Sequence, residues 1–583
     1  MTPLVIDLDL DGKPEIVFAT YSLSGTSQLI AIHGATCTVV WQKTVAIQGL
    51  AQLAAADLDG DKYPEIVALS TAQRVVVFDH NGNLLATAPS TYSTGASLGS
   101  DCSGPAIVDI DNTFPPEIVV TGQVLRYANK ALTVLFNKPA TPAQWGNLTA
   151  AADLDGDGVP EIITGLTVYD GKSGATKTPA GWSALGGSPG AYPAIADFNH
   201  DGKPDIVIIQ SANTGETVSV WDWANSKFIF GPLHLAAGTG WGGPPTVADF
   251  DGDGTPEFGS AGPNNYFVFA MKCWPSGGAG CAGPGILWKK TTHDISSGGT
   301  ASSVFDFNGD GKTEVVYRDE CFFRVMNGSD GHTDFAMQIT SGTCLENPVI
   351  ADVDGDGHAD VVVPSDNVQG AYCASPPTAS DPDTGLTFNA GALTKGIFVL
   401  TDPMNRWLPS RGIWNEHTYH ITNVNDDATV PPMETPNWTS YNNYRDNVQG
   451  MGKGNVTPAP DYTGAPPQSI DNGGMDCKVA ERLWAQICNR GAATVPAGVP
   501  GTFYPSDPRT PGATPICTTT TKGALMPGQC EAVDCDWMMP PQGPHDVWFR
   551  ANDDGKNMIK PDSECDTGND TLLQKQVTCS GIG

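Results

Sequence analysis

Eight acidic segments of nine residues limit what this chain can fold into. They begin at Asp7, Asp57, Asp109, Asp153, Asp197, Asp249, Asp306 and Asp352, 44 to 57 residues apart. The clearest reads Asp249-Phe-Asp-Gly-Asp-Gly-Thr-Pro-Glu257, with carboxylates at positions 1, 3, 5 and 9. Like charges this close repel unless a cation sits among them. Oxygen donors without Cys or His point to Ca²⁺ over zinc or copper. Glycine at position 4 or 6 permits a turn sharp enough to aim alternate acids inward, and the position-7 carbonyl can join the shell. An EF-hand needs a twelve-residue loop, a Glu at its last position and flanking helices. Here the last acid comes at position 9, between β-rich flanks such as Ile66-Val-Ala-Leu69 and Ile206-Val-Ile-Ile209. The expectation is a strand–loop–strand calcium site. Acidic turns that only keep strand ends soluble are the alternative.

The expected ligands run through all eight loops, with up to eight Ca²⁺ in total. They are Asp7, Asp9, Asp11 and Glu15, then Asp57, Asp59, Asp61 and Glu65. The third set is Asp109, Asp111 and Glu117, and the fourth Asp153, Asp155, Asp157 and Glu161. Asp197, Asn199, Asp201 and Asp205 follow, then Asp249, Asp251, Asp253 and Glu257. The last two sets are Asp306, Asn308, Asp310 and Glu314, and Asp352, Asp354, Asp356 and Asp360. The third loop has Thr113 at position 5 and no glycine, so it is the weakest expected site.

Each repeat reads as an apolar strand, the loop, a second strand and one or two more. The second unit runs Leu53–Ala56, the loop, Glu65–Leu69 and Arg74–Asp79. A period near 50 residues with up to four strands per unit is the pattern of a propeller blade. Helical periodicity is not sustained anywhere.

On these loops, residues 1–413 resemble the FG-GAP or VCBS repeats of integrin-α-like propellers. In that family the loop joins the first two strands of a blade and binds Ca²⁺, which carries over to the acids named above. The resemblance implies an all-β calcium-loop propeller. Eight loops imply eight blades, although integrin-like members have seven. The last repeat is interrupted by a polar, Pro-rich insertion at about 366–393 and resumes at Gly396–Leu400.

The formal net charge of −33 follows largely from the same loops, which hold 29 of the 64 acids. Nucleic acid is therefore not an expected partner. Fourteen cysteines without a tandem zinc pattern favour disulfides and an oxidising compartment. Local pairings Cys517–Cys530, Cys273–Cys281 and Cys321–Cys344 are expected, although sequence leaves connectivity open. Seven cysteines lie before residue 475 and seven after it, so either a bond crosses the boundary or each half keeps a free thiol. No run reaches the roughly 18 apolar residues of a membrane span. Met1 leads straight into the first strand, so upstream sequence is expected to have been removed.

Residues 414–474 break the pattern with aromatics set among Asn, His and Arg. Trp414, His417, His420, Trp438, Tyr444 and Arg445 are candidates for a ligand surface, and Glu416 with the two histidines for a metal. The competing expectation is that this segment packs across the propeller and seals it. Residues 475–583 read as a β-sandwich with strands near 479–487, 501–504 and 546–550. The stretches 489–498, 525–528 and 564–570 resemble CARDB modules, implying an immunoglobulin-like domain.

The expected function is secreted or cell-surface adhesion or scaffolding, with partners among extracellular proteins, glycans or copies of the chain. The alternatives are a polysaccharide lyase or hydrolase and a self-assembling sheath subunit. His-Glu-x-x-His does not occur in the sequence. Basic residues and aromatics sharing one cleft near Arg411, His417, His420 and Arg445 would favour a lyase.

Overall fold

Each acidic loop joins the first two strands of a small antiparallel sheet. A computed structural model describes all residues except 22–25, 94–100, 142–144, 186–190, 213–214, 236–241, 263, 295–297, 368–369, 376–377, 403–405, 448–461, 467–478, 490–494, 511, 527–528, 542, 557–569 and 578–583. In the first sheet Leu4–Ile6 pairs with Glu15–Ala19, followed by Ser27–His33 and Val39–Val45. Seven further sheets repeat this meander. Their innermost strands are Ala54–Ala56, Ala106–Val108, Ala150–Ala152, Ala191–Ala196, Thr246–Ala248, Ser302–Phe305 and Val349–Ala351. Among the described residues six of the eight sheets have four strands, and the fourth and eighth have three.

Successive sheets pack side by side through their inner strands, and Val349–Ala351 lies beside Leu4–Ile6, so the series returns on itself as a ring. This is a propeller-like, all-β arrangement. Burial follows the radius. The inner strands are buried at every residue, whereas Val39–Val45 and Ala131–Asn137 on the outside alternate with solvent. Small alanines recur where the strands converge and space is least. Among the described residues helix is confined to short turns such as Gly370–Ala374 and Asn437–Ser440.

The insertion in the eighth repeat folds back onto the seventh sheet. The Cys321–Cys373 disulfide holds it there, with Asp381 accepting from Arg324 Nε at 2.7 Å, and Asp383 pairs with Lys290 of the sixth sheet. The pairing Cys321–Cys344 is thus corrected. Cys344 bonds Cys102 across 242 residues, an approach of distant chain that only the closed ring provides. Cys273–Cys281 forms as expected, and Cys37 is free and exposed.

Beyond residue 461, Tyr462–Ala465, Ala480–Asn489 and Cys530–Met538 form one sheet. Cys517–Thr520, Pro500–Tyr504, His545–Ala551 and Thr571–Val577 form another. Leu483, Ile487, Phe503, Val533, Val547 and Phe549 from both sheets share one core. The pairing Cys517–Cys530 is corrected here. Cys530 stands opposite Cys488 on the adjacent strand and bonds it, leaving Cys517 to reach Cys535. Cys477, Cys565, Cys579, most of the linker 456–474 and much of the CARDB-like stretches 489–498, 525–528 and 564–570 lie outside the described residues.

Candidate metal centres

The loops owe their shape to hydrogen bonds that the acids accept from backbone. The position-9 carboxylate accepts the position-2 N–H in all eight, from Leu8 N to Glu15 Oε2 at 2.9 Å through Val353 N to Asp360 Oδ2 at 2.9 Å. The shorter Asp205 reaches Phe198 N equally well, at 2.9 Å. Position 1 caps the turn from inside. Asp249 Oδ1 accepts from Gly252 N and Asp253 N at 2.8 and 3.0 Å, and its Oδ2 from Gly254 N at 2.8 Å. Position 2 is always apolar and buried, as Leu8, Leu58, Ile110, Leu154, Phe198, Phe250, Phe307 and Val353, so each loop is pinned into the core. Sequence reasoning passed over that anchor, although its alternation with the acids is plain in the repeats.

The turn requires left-handed backbone at position 4 in every loop. Glycine supplies it in five, and Leu10, Asn112 and His200 adopt it at φ 63°, 59° and 57°. Position 6 is left-handed in all but the third loop, with Lys62 at φ 81° the one case that is not glycine. Thr113 and Phe114 replace the position-5 acid and the position-6 glycine there, and Asp109 Oδ1 accepts from Thr113 N at 3.0 Å.

The position-9 oxygen left over by the backbone bond faces position 3, as where Asn308 Nδ2 donates to Glu314 Oε1 at 3.2 Å. Carboxylate oxygens converge to within 4.8 Å in Asp7, Asp9 and Glu15, in Asp57, Asp59 and Asp61, in Asp109, Asp111 and Glu117, and in Asp153, Asp155 and Glu161. Two oxygens on opposite sides of a calcium ion stand up to about 5 Å apart, so these sets fit that ion. The electrostatics agree. Burial, then the neighbouring acids, pushes Glu65, Asp205 and Glu314 up to about 8 and Asp360 to about 7. A carboxylate cluster left on its own prefers to keep protons, and a divalent cation removes that preference.

Basic side chains from later strands or turns reach four of the acid sets, which sequence reasoning missed; in the first loop His33 Nδ1 lies 3.0 Å from Glu15 Oε1. Lys177 Nζ lies 2.8 Å from Asp155 and 2.6 Å from Glu161. Lys272 Nζ contacts Asp251 and lies 2.7 Å from Asp253. Arg126 binds Asp111 and Glu117. Arg126 was legible in principle, since it stands opposite Glu117 on the next strand.

Adjacent loops also touch. Asn112 Nδ2 donates to Gly158 O at 3.2 Å, and Thr313 Oγ1 donates to Asp249 O at 2.9 Å. A side chain at Gly355 would meet Lys13 of the first loop. The acidic loops therefore run as a belt along one face of the ring.

The proposed ligand surface is not a surface. Trp414, His417, His420, Tyr444 and Arg445 are buried and Trp438 is half-buried. Inner strands leave one edge of N–H and C=O groups turned toward the axis, and such groups need partners. Residues 411–447 supply them to all eight sheets. Trp414 exchanges backbone bonds with Val5 at 3.0 and 2.8 Å, and Ala55 N donates to Asn415 O at 2.9 Å. Glu416 Oε2 accepts from Ile107 N at 2.9 Å, and Thr418 Oγ1 donates to Thr149 O at 3.2 Å. Asn442 bonds Asp197, and Tyr444 exchanges bonds with Val247. Val304 N donates to Arg445 O, and Asn447 Nδ2 to Ile350 O at 2.8 Å.

The Glu416, His417 and His420 set does not converge on a metal. His417 Nε2 meets Leu345 O, while His420 Nε2 pairs with Glu434 at 2.6 Å. Burial, then the Arg445 charge, holds His417 well below the usual imidazole range. Arg411 is buried as well, bonding Ile421 O and Val424 O, so these residues do not form the basic cleft expected of a lyase.

A description of the FG-GAP-like repeat family matches residues 197–260 and 306–363. No curated protein matches the sequence. Among solved structures, the V. cholerae biofilm matrix protein Bap1 is 17% identical, with a TM-score of 0.58, over 77% of this chain and 95% of that one. The exotype rhamnogalacturonan lyase YesX is 18% identical with a TM-score of 0.43, over 63% and 70%. BamB from Moraxella catarrhalis is 11% identical with a TM-score of 0.34, over 62% and 95%. No helix among the described residues is long and apolar enough to cross a membrane. The chain carries FG-GAP-like repeats on an all-β fold similar to that of Bap1.

Proposed function

We propose that this protein is an extracellular adhesion or scaffold protein built on an eight-bladed propeller, with a CARDB-like, immunoglobulin-like module at its C-terminal end. Calcium bound in the acidic belt stiffens one face of the ring. Asp, Asn and Glu side chains at positions 1, 3, 5 and 9 would hold each ion, with position 1 also shaping the turn. The ion supplies charge neutralisation and cross-linking of loop to strand. The observation that carries this reading is the belt itself, a hydrogen-bond frame repeated on one edge of the ring with neighbouring loops in contact. The filled axis supports it too, because it moves partner binding to the rims and outer strands. Disulfides and the fold shared with a biofilm matrix protein favour an extracellular setting.

Binding to a glycan array and to extracellular matrix extracts, each with Ca²⁺ and with EDTA, tests the role. Calcium-dependent capture without release of unsaturated sugar from polyuronic acids is the expected result. Unsaturated product formed by the purified chain would replace adhesion with lyase chemistry. Light scattering in the same buffers reports whether copies of the chain are the partner.

A further inference from the structure

The third loop differs from the other seven in three linked ways. Thr113 takes the place of the position-5 acid and hydrogen-bonds Asp111. Phe114 removes the left-handed turn at position 6. Arg126 reaches across the sheet from its place opposite Glu117, with Nε 2.7 Å from Glu117 Oε1 and a terminal nitrogen 2.7 Å from Asp111 Oδ2. We propose that the Arg126 guanidinium is the permanent cation of this loop, standing where the other loops take a metal ion. This deepens the calcium reading and rests on it.

Chemistry separates Arg126 from the two lysines that also enter loops. A guanidinium is planar, always charged and forked, so it spans two carboxylates and fills the space between them. It does so here where one ligand acid has been lost and the remaining pair needs a single bridging cation. Lys177 and Lys272 sit in loops that keep acids at positions 1, 3, 5 and 9. One ammonium leaves those sets strongly negative, and a flexible stem lets it withdraw before a divalent ion. In the Asp197 loop the residue opposite the position-9 acid is Asp222, which adds a carboxylate where the third loop has its arginine.

Hydrogen–deuterium exchange of the full chain, resolved by peptide, tests this. Calcium should slow exchange in the loops 57–65 and 197–205 and leave 109–117 unchanged. Arg126→Met should speed exchange of 109–117 in EDTA. The double variant Arg126→Met with Thr113→Asp should make that peptide calcium-protected and add one bound ion per chain. Calcium protection of 109–117 in the wild type overturns the assignment. If calcium protects no loop, the calcium reading itself has failed. Arg126→Met in EDTA then decides alone, and unchanged exchange sinks the role of Arg126.

Discussion

The acidic belt and the axial segment solve one problem, how to hold eight small sheets in a ring, by opposite means. Each loop is closed by its own nine residues and repeats with little change. Residues 411–447 occur once, and the bonds they make to the inner strands are to chain far away in sequence. The belt depends on charge that a cation must balance. The axis depends on burial and backbone pairing that need no cation. Ion removal and core truncation should therefore act independently of each other.

Calcium removal is expected to have the largest effect. A hundredfold ligand excess over Kd stabilises by about 2.7 kcal/mol per site, and several sites add. EDTA should lower Tm steeply in calorimetry, and a Tm indifferent to EDTA breaks the comparison on the belt side. Next comes Trp414→Ala, which empties a fully buried site stacked on Tyr419 with ring centroids 4.5 Å apart. It should cost about 3–5 kcal/mol in denaturant titration, by the same amount with calcium and with EDTA. A cost that changed with calcium would mean that belt and axis are coupled.

A substitution within the belt should change sign. Glu65→Gln keeps an acceptor for Leu58 N but gives up a ligand charge. With calcium it should destabilise by about 1–3 kcal/mol, the range for an unmet buried polar group. In EDTA at pH 8 it should be neutral or slightly stabilising, because the metal-free site favours the uncharged form of Glu65. Equal effects in both buffers would leave Glu65 with a purely structural part.

The smallest and most gradual effect is that of pH. Glu65, Asp205 and Glu314 are raised to about 8 in the folded, metal-free chain. Groups raised on folding contribute stability below their ordinary carboxylate range and lose it as pH climbs through the folded value. In EDTA, Tm should therefore fall between about pH 5 and 8. With calcium the charged form is the bound one, so that decline should vanish or reverse.

The two regions also differ in how far sequence reveals them. Loop acids, glycines and flanking strands are local, so Asp249–Glu257 reads almost completely from spacing. Leu10 and Lys62 show the limit, because left-handed backbone is held there by the capping Asp and not by glycine. The axial residues mislead for a physical reason. Trp414, His417 and Arg445 have the composition of a ligand surface, yet Trp414 pairs its backbone with Val5, and His417 and Arg445 meet Leu345 O and Pro245 O, all far away in sequence. The disulfides fail in the same way. Cys273–Cys281 is local and legible, whereas Cys102–Cys344 requires a ring that brings distant sheets together.

Counting calcium bound per chain, by elemental analysis after equilibrium dialysis, bears most directly on the belt. Seven ions are expected at saturation, one for every loop except the third, falling by one in Asp59→Ala with the rest retained. A chain that binds none, and melts alike with calcium and EDTA, would show that these acids only decorate strand ends.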